Sequence, residues 1–282
     1  MRSRDGSLVF LTILSQASIG MVWSLTALVH FSEGGSVSVG RGSSAEFLLF
    51  LALILICVAT ASSFLHLGNP ANAPKALRNL AGSWLSREIL AIGAFAFTLV
   101  LALVSARAGF TGTVFNGLLL LASLAGLFLL LAMTRIYLVP TIPAWDNRYT
   151  PVSFTATTLS LGVMGALLLL EMESSGARLF IAALFVILVA ELLSGFLNHR
   201  RLAGMDSGFD GPAFNRGGYY RLYLARMAIL FIACVAVLFF LLPDASSTEG
   251  IFAWIYPVCV LVVFQEFAGR VLFYASYFRV GL

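Results

Sequence analysis

A small number of polar and ionisable side chains interrupt long apolar runs, and their grouping points to proton-coupled redox chemistry. His66 closes one apolar run, and Trp84, Arg87 and Glu88 open the next, so a short connection brings the four to one end of a helix pair. Imidazole exchanges a proton near neutral pH. A carboxyl group a few residues inside an apolar segment can relay one, and indole and guanidinium supply a flat wall and hydrogen-bond donors. A quinone, whether menaquinone or ubiquinone, needs that set, because its two carbonyl oxygens take up two electrons and two protons. Arg135 and Gln16 fall near the same end of their own segments, and Trp145 in a connection at that end. With His66, Trp84, Arg87 and Glu88 they make the candidate quinone-binding set. No covalent catalyst is expected in the chain. Cys57, Cys234 and Cys259 lie inside apolar runs with no CxxC or Cys/His cluster, so neither a metal site nor an iron–sulfur cluster is expected.

The elements that must position these residues follow from composition. Of 282 residues 60% are hydrophobic and only 11% charged, with a mean hydropathy of +0.97. Soluble domains carry about 25% charged residues, so this chain cannot cover a water-facing surface. A soluble fold, a disordered chain and a nucleic-acid binder are excluded, and the unbroken runs exclude an alternating β-barrel. A spanning helix needs about 20 apolar residues. The runs predict an all-α polytopic bundle with eight transmembrane helices, at about 8–31, 46–66, 83–106, 114–137, 151–171, 177–198, 219–242 and 251–275. Residues 1–282 then form a single integral membrane domain. The first run is too long for a signal peptide, carries Gln16 and Trp23, and is read as a retained helix.

Eight spans place the N-terminus, the C-terminus and the second, fourth and sixth connections on one side, here side A. Side A carries 14 of the Lys and Arg residues and side B only Arg41, Arg107 and Arg178. The excess of positive charge in short loops puts side A in the cytoplasm. The side A connections are also the richer in proline, asparagine and charge, notably 67–82, 139–150 and 199–218, which suits a docking platform for another protein. Within the spans, Gln16, Glu88, Arg135, Glu191 and Arg226 lie toward side A, Gln265 and Glu266 near mid-span, and Arg270 beyond them. Glu266 and Arg270 are four residues apart on a helix, a spacing at which they can neutralise each other.

Charge thus thins out toward side B, which argues for a cavity opening to side A rather than a route through the membrane. A secondary transporter, which needs polar groups across the full thickness, is disfavoured. So is a haem-b subunit, because His66 and His199 sit at the interface and do not form an axial pair inside the bundle.

Four stretches carry a resemblance to a known family. They are His66-Leu-Gly-Asn-Pro70, Leu85-Ser-Arg-Glu-Ile89, Thr134-Arg-Ile-Tyr-Leu-Val-Pro140 followed by Pro143-Ala-Trp145, and Gly269-Arg-Val-Leu-Phe-Tyr274. In these motifs, and in length and span count, the chain resembles the DmsC family of membrane-anchor subunits of dimethyl-sulfoxide-reductase-type molybdenum enzymes. The resemblance implies an eight-helix anchor without haem in a bacterial inner (cytoplasmic) membrane. Its implied partners are a molybdopterin catalytic subunit and a four-cluster ferredoxin-like iron–sulfur subunit, with membrane lipid around it. It also implies a quinone site in which the histidine ending the second helix and the glutamate of the third take part, matching His66 and Glu88. The cytoplasmic bias of side A leans toward the related sulfite dehydrogenase anchors, which pass electrons to quinone. The alternative is a quinol-oxidising anchor of an S- or N-oxide reductase.

Overall fold

The computed structural model describes residues 3–31, 40–64, 77–110, 112–170, 172, 174–204, 218–241 and 248–277. Eight long helices account for most of them: α1 (Ser3–Phe31), α2 (Ser44–Phe64), α3 (Trp84–Arg107), α4 (Thr113–Tyr137), α5 (Tyr149–Leu169), α6 (Ser174–Gly204), α7 (Gly218–Leu241) and α8 (Thr248–Ala275). All eight are long and apolar enough to cross a membrane. With no water in a bilayer core to satisfy backbone groups, helices bonded internally are what such runs must form. The expected eight-helix bundle is therefore the observed fold, and the protein is an integral membrane protein.

Helix α1 is the hub. It packs against α2, α4, α5 and α8, and 78% of its most apolar stretch is buried, against 28% for α6 and α7. Apolar association between helices gains little inside lipid, so close packing depends on small residues. Gly20 of α1 and Gly162 of α5 provide it. A Cβ on Gly20 would sit 1.9 Å from the Thr158 carbonyl oxygen, and one on Gly162 would sit 2.3 Å from the Gly20 backbone. The two helices touch backbone to backbone. Neighbouring contacts are polar: the Ser18 hydroxyl donates to the Ala52 carbonyl at 2.7 Å. The outward faces are apolar, with Phe97, Leu124, Val186, Phe231 and Val260 exposed, as a lipid-facing surface requires.

The ends of the helices are set locally. Ser83 caps α3, its hydroxyl accepting from the Ser86 amide at 3.3 Å, which places Trp84, Arg87 and Glu88 in the first turns. The side A connection between α4 and α5 is held by its own side chains. Asn147 accepts from the Tyr149 amide at 2.8 Å and donates to the Ala144 carbonyl at 2.7 Å, and Thr150 donates to the Trp145 carbonyl at 2.6 Å. Arg201 at the end of α6 donates to the Pro143 carbonyl at 2.9 Å. This loop is an ordered cap over the side A end of the bundle.

Candidate functional site

Glu88 is buried, 6% exposed, on the inner face of α3. Among the described residues its carboxyl group accepts no hydrogen bond. Its electrostatic neighbours are the phenols of Tyr137, at the end of α4, and Tyr274, near the end of α8. Those two hydroxyls share a hydrogen bond of 2.7 Å. An acid with no hydrogen bond among the described residues, beside two linked hydroxyls, is an arrangement through which a proton can move.

Aromatic rings wall the site. Tyr137 lies 5.3–5.7 Å, ring centre to ring centre, from Trp145, Phe154, Phe273 and Tyr274. Trp145 stacks on Phe273 with the planes 13° apart, and its indole donates to the Phe273 carbonyl at 2.9 Å. The α4–α5 loop therefore aims Trp145 into the bundle because the helix end of α8 offers it both a ring and an acceptor.

Behind the rings lies a buried polar network. Arg270 of α8, 2% exposed, places its guanidinium 3.9 Å from the centre of the Phe154 ring. It donates to Gln16 Oε1 at 2.7 Å and reaches the Thr157 hydroxyl at 3.4 Å. Gln16 is fully buried and donates to the Phe154 carbonyl at 3.0 Å. Glu266 accepts from Thr157 at 2.7 Å and from Ser160 at 2.5 Å. The direct Glu266–Arg270 pair that their spacing allows is not formed among the described residues. Both instead engage the α5 hydroxyl of Thr157, because α5 packs between them. Arg226 of α7 pairs with Glu191 of α6, and Gln265 joins both, accepting from Arg226 and donating to Glu191, each at 3.3 Å. Gly269 makes this possible: a Cβ there would stand 2.7 Å from the Arg226 guanidinium.

The other sequence-selected residues form a separate group at the surface. Arg87 lies over the Trp84 ring at 4.2 Å and donates to the Leu80 and Ala81 carbonyls at 2.8 and 2.7 Å. It fastens the connection before α3 and makes no bond to Glu88 among the described residues. Arg135 is exposed, 5.8 Å from the Trp84 ring. Trp84 is thus the face for two cations at the lipid boundary. His66 lies outside the described residues. Sequence reasoning passed over Tyr137, Phe154, Thr157 and Tyr274 as site residues. The available signal was that Tyr137 and Tyr274 each belong to a motif already singled out.

A polar cleft opens beside the network at side A. It is lined by Tyr149, Ser153, Ser194, Asn198, His199 and Tyr223, and reaches Glu191 and Arg226 at its floor. His199 stacks on Tyr223 with ring centres 4.1 Å apart.

Comparison with known proteins fits this architecture. The C subunit of the anaerobic dimethyl sulfoxide reductase of Haemophilus influenzae is 27% identical, over 98% of this chain and 95% of that protein. The YnfH subunit of an anaerobic dimethyl sulfoxide reductase of Escherichia coli K12 is 28% identical over the same shares. A further anaerobic dimethyl sulfoxide reductase C subunit, also of E. coli K12, is 25% identical over 83% of this chain and 82% of its own length. The sequence profile of the DMSO reductase anchor subunit (DmsC) family matches residues 2–276. An eight-helix membrane bundle matched from end to end in this way belongs to the DMSO reductase anchor subunit (DmsC) family.

Proposed function

We propose that the chain anchors a molybdenum oxidoreductase to the membrane and exchanges electrons between a lipid-soluble quinone and an iron–sulfur subunit docked on side A. The single observation that carries the quinone reading is the buried Glu88 carboxyl, which accepts no hydrogen bond among the described residues, next to the hydrogen-bonded Tyr137–Tyr274 hydroxyls, whose own rings cluster with Trp145, Phe154 and Phe273. These residues fit a quinone on chemical grounds: a flat ring needs flat apolar walls, and its oxygens need groups that give and take protons.

When bound, the quinone supplies two-electron, two-proton redox chemistry. Glu88 would hold or accept a proton exchanged with the quinone, and the two phenols would pass it on. Trp145 and Phe273 exclude water from the ring. Trp84, with Arg87 and Arg135 around it, marks the level of the membrane boundary where the ring enters. The family resemblance adds His66 to this set. Gln16 acts at one remove, holding Arg270 in place.

The match to reductase subunits supports the quinol-oxidising direction, with electrons leaving for a four-cluster ferredoxin-like subunit and then a molybdopterin subunit. The positive excess on side A supports cytoplasmic termini and docking face in a bacterial inner membrane. It also keeps a second reading in play, a cytoplasm-facing sulfite dehydrogenase type that sends electrons to quinone.

The test uses the assembled complex. His66→Arg or Glu88→Lys should leave the subunits associated and dye-linked turnover intact while abolishing quinone-linked turnover. Retention of quinone-linked turnover in both variants overturns the site. Substrate-dependent quinone reduction, against quinol-dependent reduction of an S-oxide, decides between the two directions.

A further inference from the structure

Glu266, Glu191 and the cleft between α5, α6, α7 and α8 have no part in holding a quinone, yet they extend the line of buried polar groups from its site toward the cleft. We propose that this continuation is the proton route between the quinone site and the water on side A, running from Glu88 through the Tyr137–Tyr274 hydroxyls, past Arg270 to Glu266, and from Glu266 to Glu191 at the cleft floor. The proposal rests on the quinone reading above.

The links differ in kind: Glu88 and the two phenols are electrostatic neighbours, the phenols share a hydrogen bond, and the step from Tyr274 to Glu266 is one for water. The Tyr137–Tyr274 bond is 2.7 Å. Glu266 and Tyr274 lie on one face of α8, eight residues or about 12 Å apart, with Arg270 midway. Buried polar groups are almost always satisfied, by protein or by ordered water. Arg270 Nε and Nη1 are buried without a partner among the described residues, so their donors are positioned to order water across this step. Arg270 itself stays charged and relays no proton. Thr157 and Ser160 orient the Glu266 carboxyl; Glu191 is its electrostatic neighbour and is held by Gln265, the residue next to Glu266 in the chain. Glu191 lines the polar cleft. Two carboxylates and two guanidiniums, Glu191, Glu266, Arg226 and Arg270, balance in charge, so a proton passes without leaving a net buried charge at rest. The membrane half toward side B contributes no group to the route, so protons are taken up and released on side A alone.

The reaction balances. Each quinol oxidised to quinone releases two electrons, which leave singly for the iron–sulfur subunit, and two protons, which leave by this route. Quinone reduction runs the same transfers in reverse.

The experiment uses the purified complex with a short-chain quinol, and compares Glu88→Gln, Glu266→Gln, Glu266→Asp, Glu191→Gln and Ser194→Leu, the last filling the cleft. Dye-linked turnover reports assembly. Glu266→Gln and Glu191→Gln should lower quinol-linked kcat at least tenfold with KM unchanged and a larger solvent deuterium isotope effect. Glu266→Asp should restore much of the rate. Ser194→Leu, which leaves the buried charges in place, should reproduce the slowing, and it decides the matter if the glutamine variants do not assemble. Wild-type kcat in assembled Glu266→Gln or in Ser194→Leu overturns the route. A loss confined to KM overturns it too. If Glu88→Gln alone is slow, the quinone site stands and the route fails. If Glu88→Gln also turns over normally, the quinone reading itself fails.

Discussion

The Tyr137 and Tyr274 hydroxyls meet at 2.7 Å and tie the end of α4 to the end of α8, although 137 residues separate them in the chain. Tyr274 also lies 3.5 Å from the Leu8 carbonyl of α1. Three helices thus converge on two phenols at side A, beside the one buried acid of α3. Deleting either hydroxyl removes one hydrogen bond, worth about 0.5–1.5 kcal/mol net, and Tyr274 keeps the Leu8 carbonyl as an acceptor. Tyr137→Phe and Tyr274→Phe should assemble with slightly lowered thermal stability, and quinone-linked turnover should fall by about tenfold or more. Dye-linked turnover of the same preparations is the control. Equal losses in both assays would assign the pair a purely structural role.

The α1–α5 crossing should be intolerant of any side chain. A Cβ on Gly20 meets backbone at 1.9 Å, and a carbonyl in a packed helix cannot give way. Gly20→Leu or Gly162→Leu should abolish accumulation of the chain in membranes, as read by immunoblot of membrane fractions. Gly93→Leu, where a Cβ meets nothing within 4 Å, should accumulate normally.

Much of the fold was legible beforehand because bilayer thickness dictates run length. The expected span 114–137 compares with Thr113–Tyr137, and 219–242 with Gly218–Leu241. Glu88 was selectable for a similar reason, since an acid five residues into an apolar run stands out by depth. The partner choices were not legible. Glu266 and Arg270 share a helix face at a spacing that ordinarily pairs them, yet Thr157 of α5 stands between them. Glu191 and Arg226 pair from different helices. Helix rotation and neighbour order decide such contacts, and chain spacing alone encodes neither. The same holds for Arg87, adjacent to Glu88 in sequence but turned back onto the Leu80 and Ala81 carbonyls.

Charge pairs at the two ends of the bundle should differ sharply in weight. Arg107 pairs with Glu46 at side B; Glu46 is 9% exposed but the Arg107 side chain is 64% exposed, and Glu46 keeps its bond from the Gly42 amide without it, so the pair is weighed as a solvated one, worth about 0–1 kcal/mol. Arg107→Ala should therefore change thermal stability little and leave quinone-linked turnover unaltered. The Arg226–Glu191 pair is 10% and 2% exposed. Removing one partner of a buried pair costs about 3–5 kcal/mol, so Arg226→Met should lower the Tm markedly. Combining it with Glu191→Leu should recover part of that loss, because no buried charge is left alone. Thermal unfolding in detergent, followed by circular dichroism, measures all three.

Gly269 is the residue on which Arg226 rests, with the guanidinium 2.7 Å from where a Cβ would stand. Gly269→Val should displace Arg226 from Glu191 and reproduce the stability loss of Arg226→Met. A variant as stable as the wild type would show that Arg226 has room to reorient.

The central claim is where the quinone binds. Photolabelling the complex with an azido-quinone and mapping the adduct by mass spectrometry tests this directly. The label is predicted on the side A ends of α3, α4 and α8, within Trp84–Glu88, around Tyr137 or within Phe273–Tyr277. A label concentrated instead on the apolar groove of α7 and α8, around Phe231, Val235, Phe239 and Val258, or at the side B ends of the helices, would contradict it.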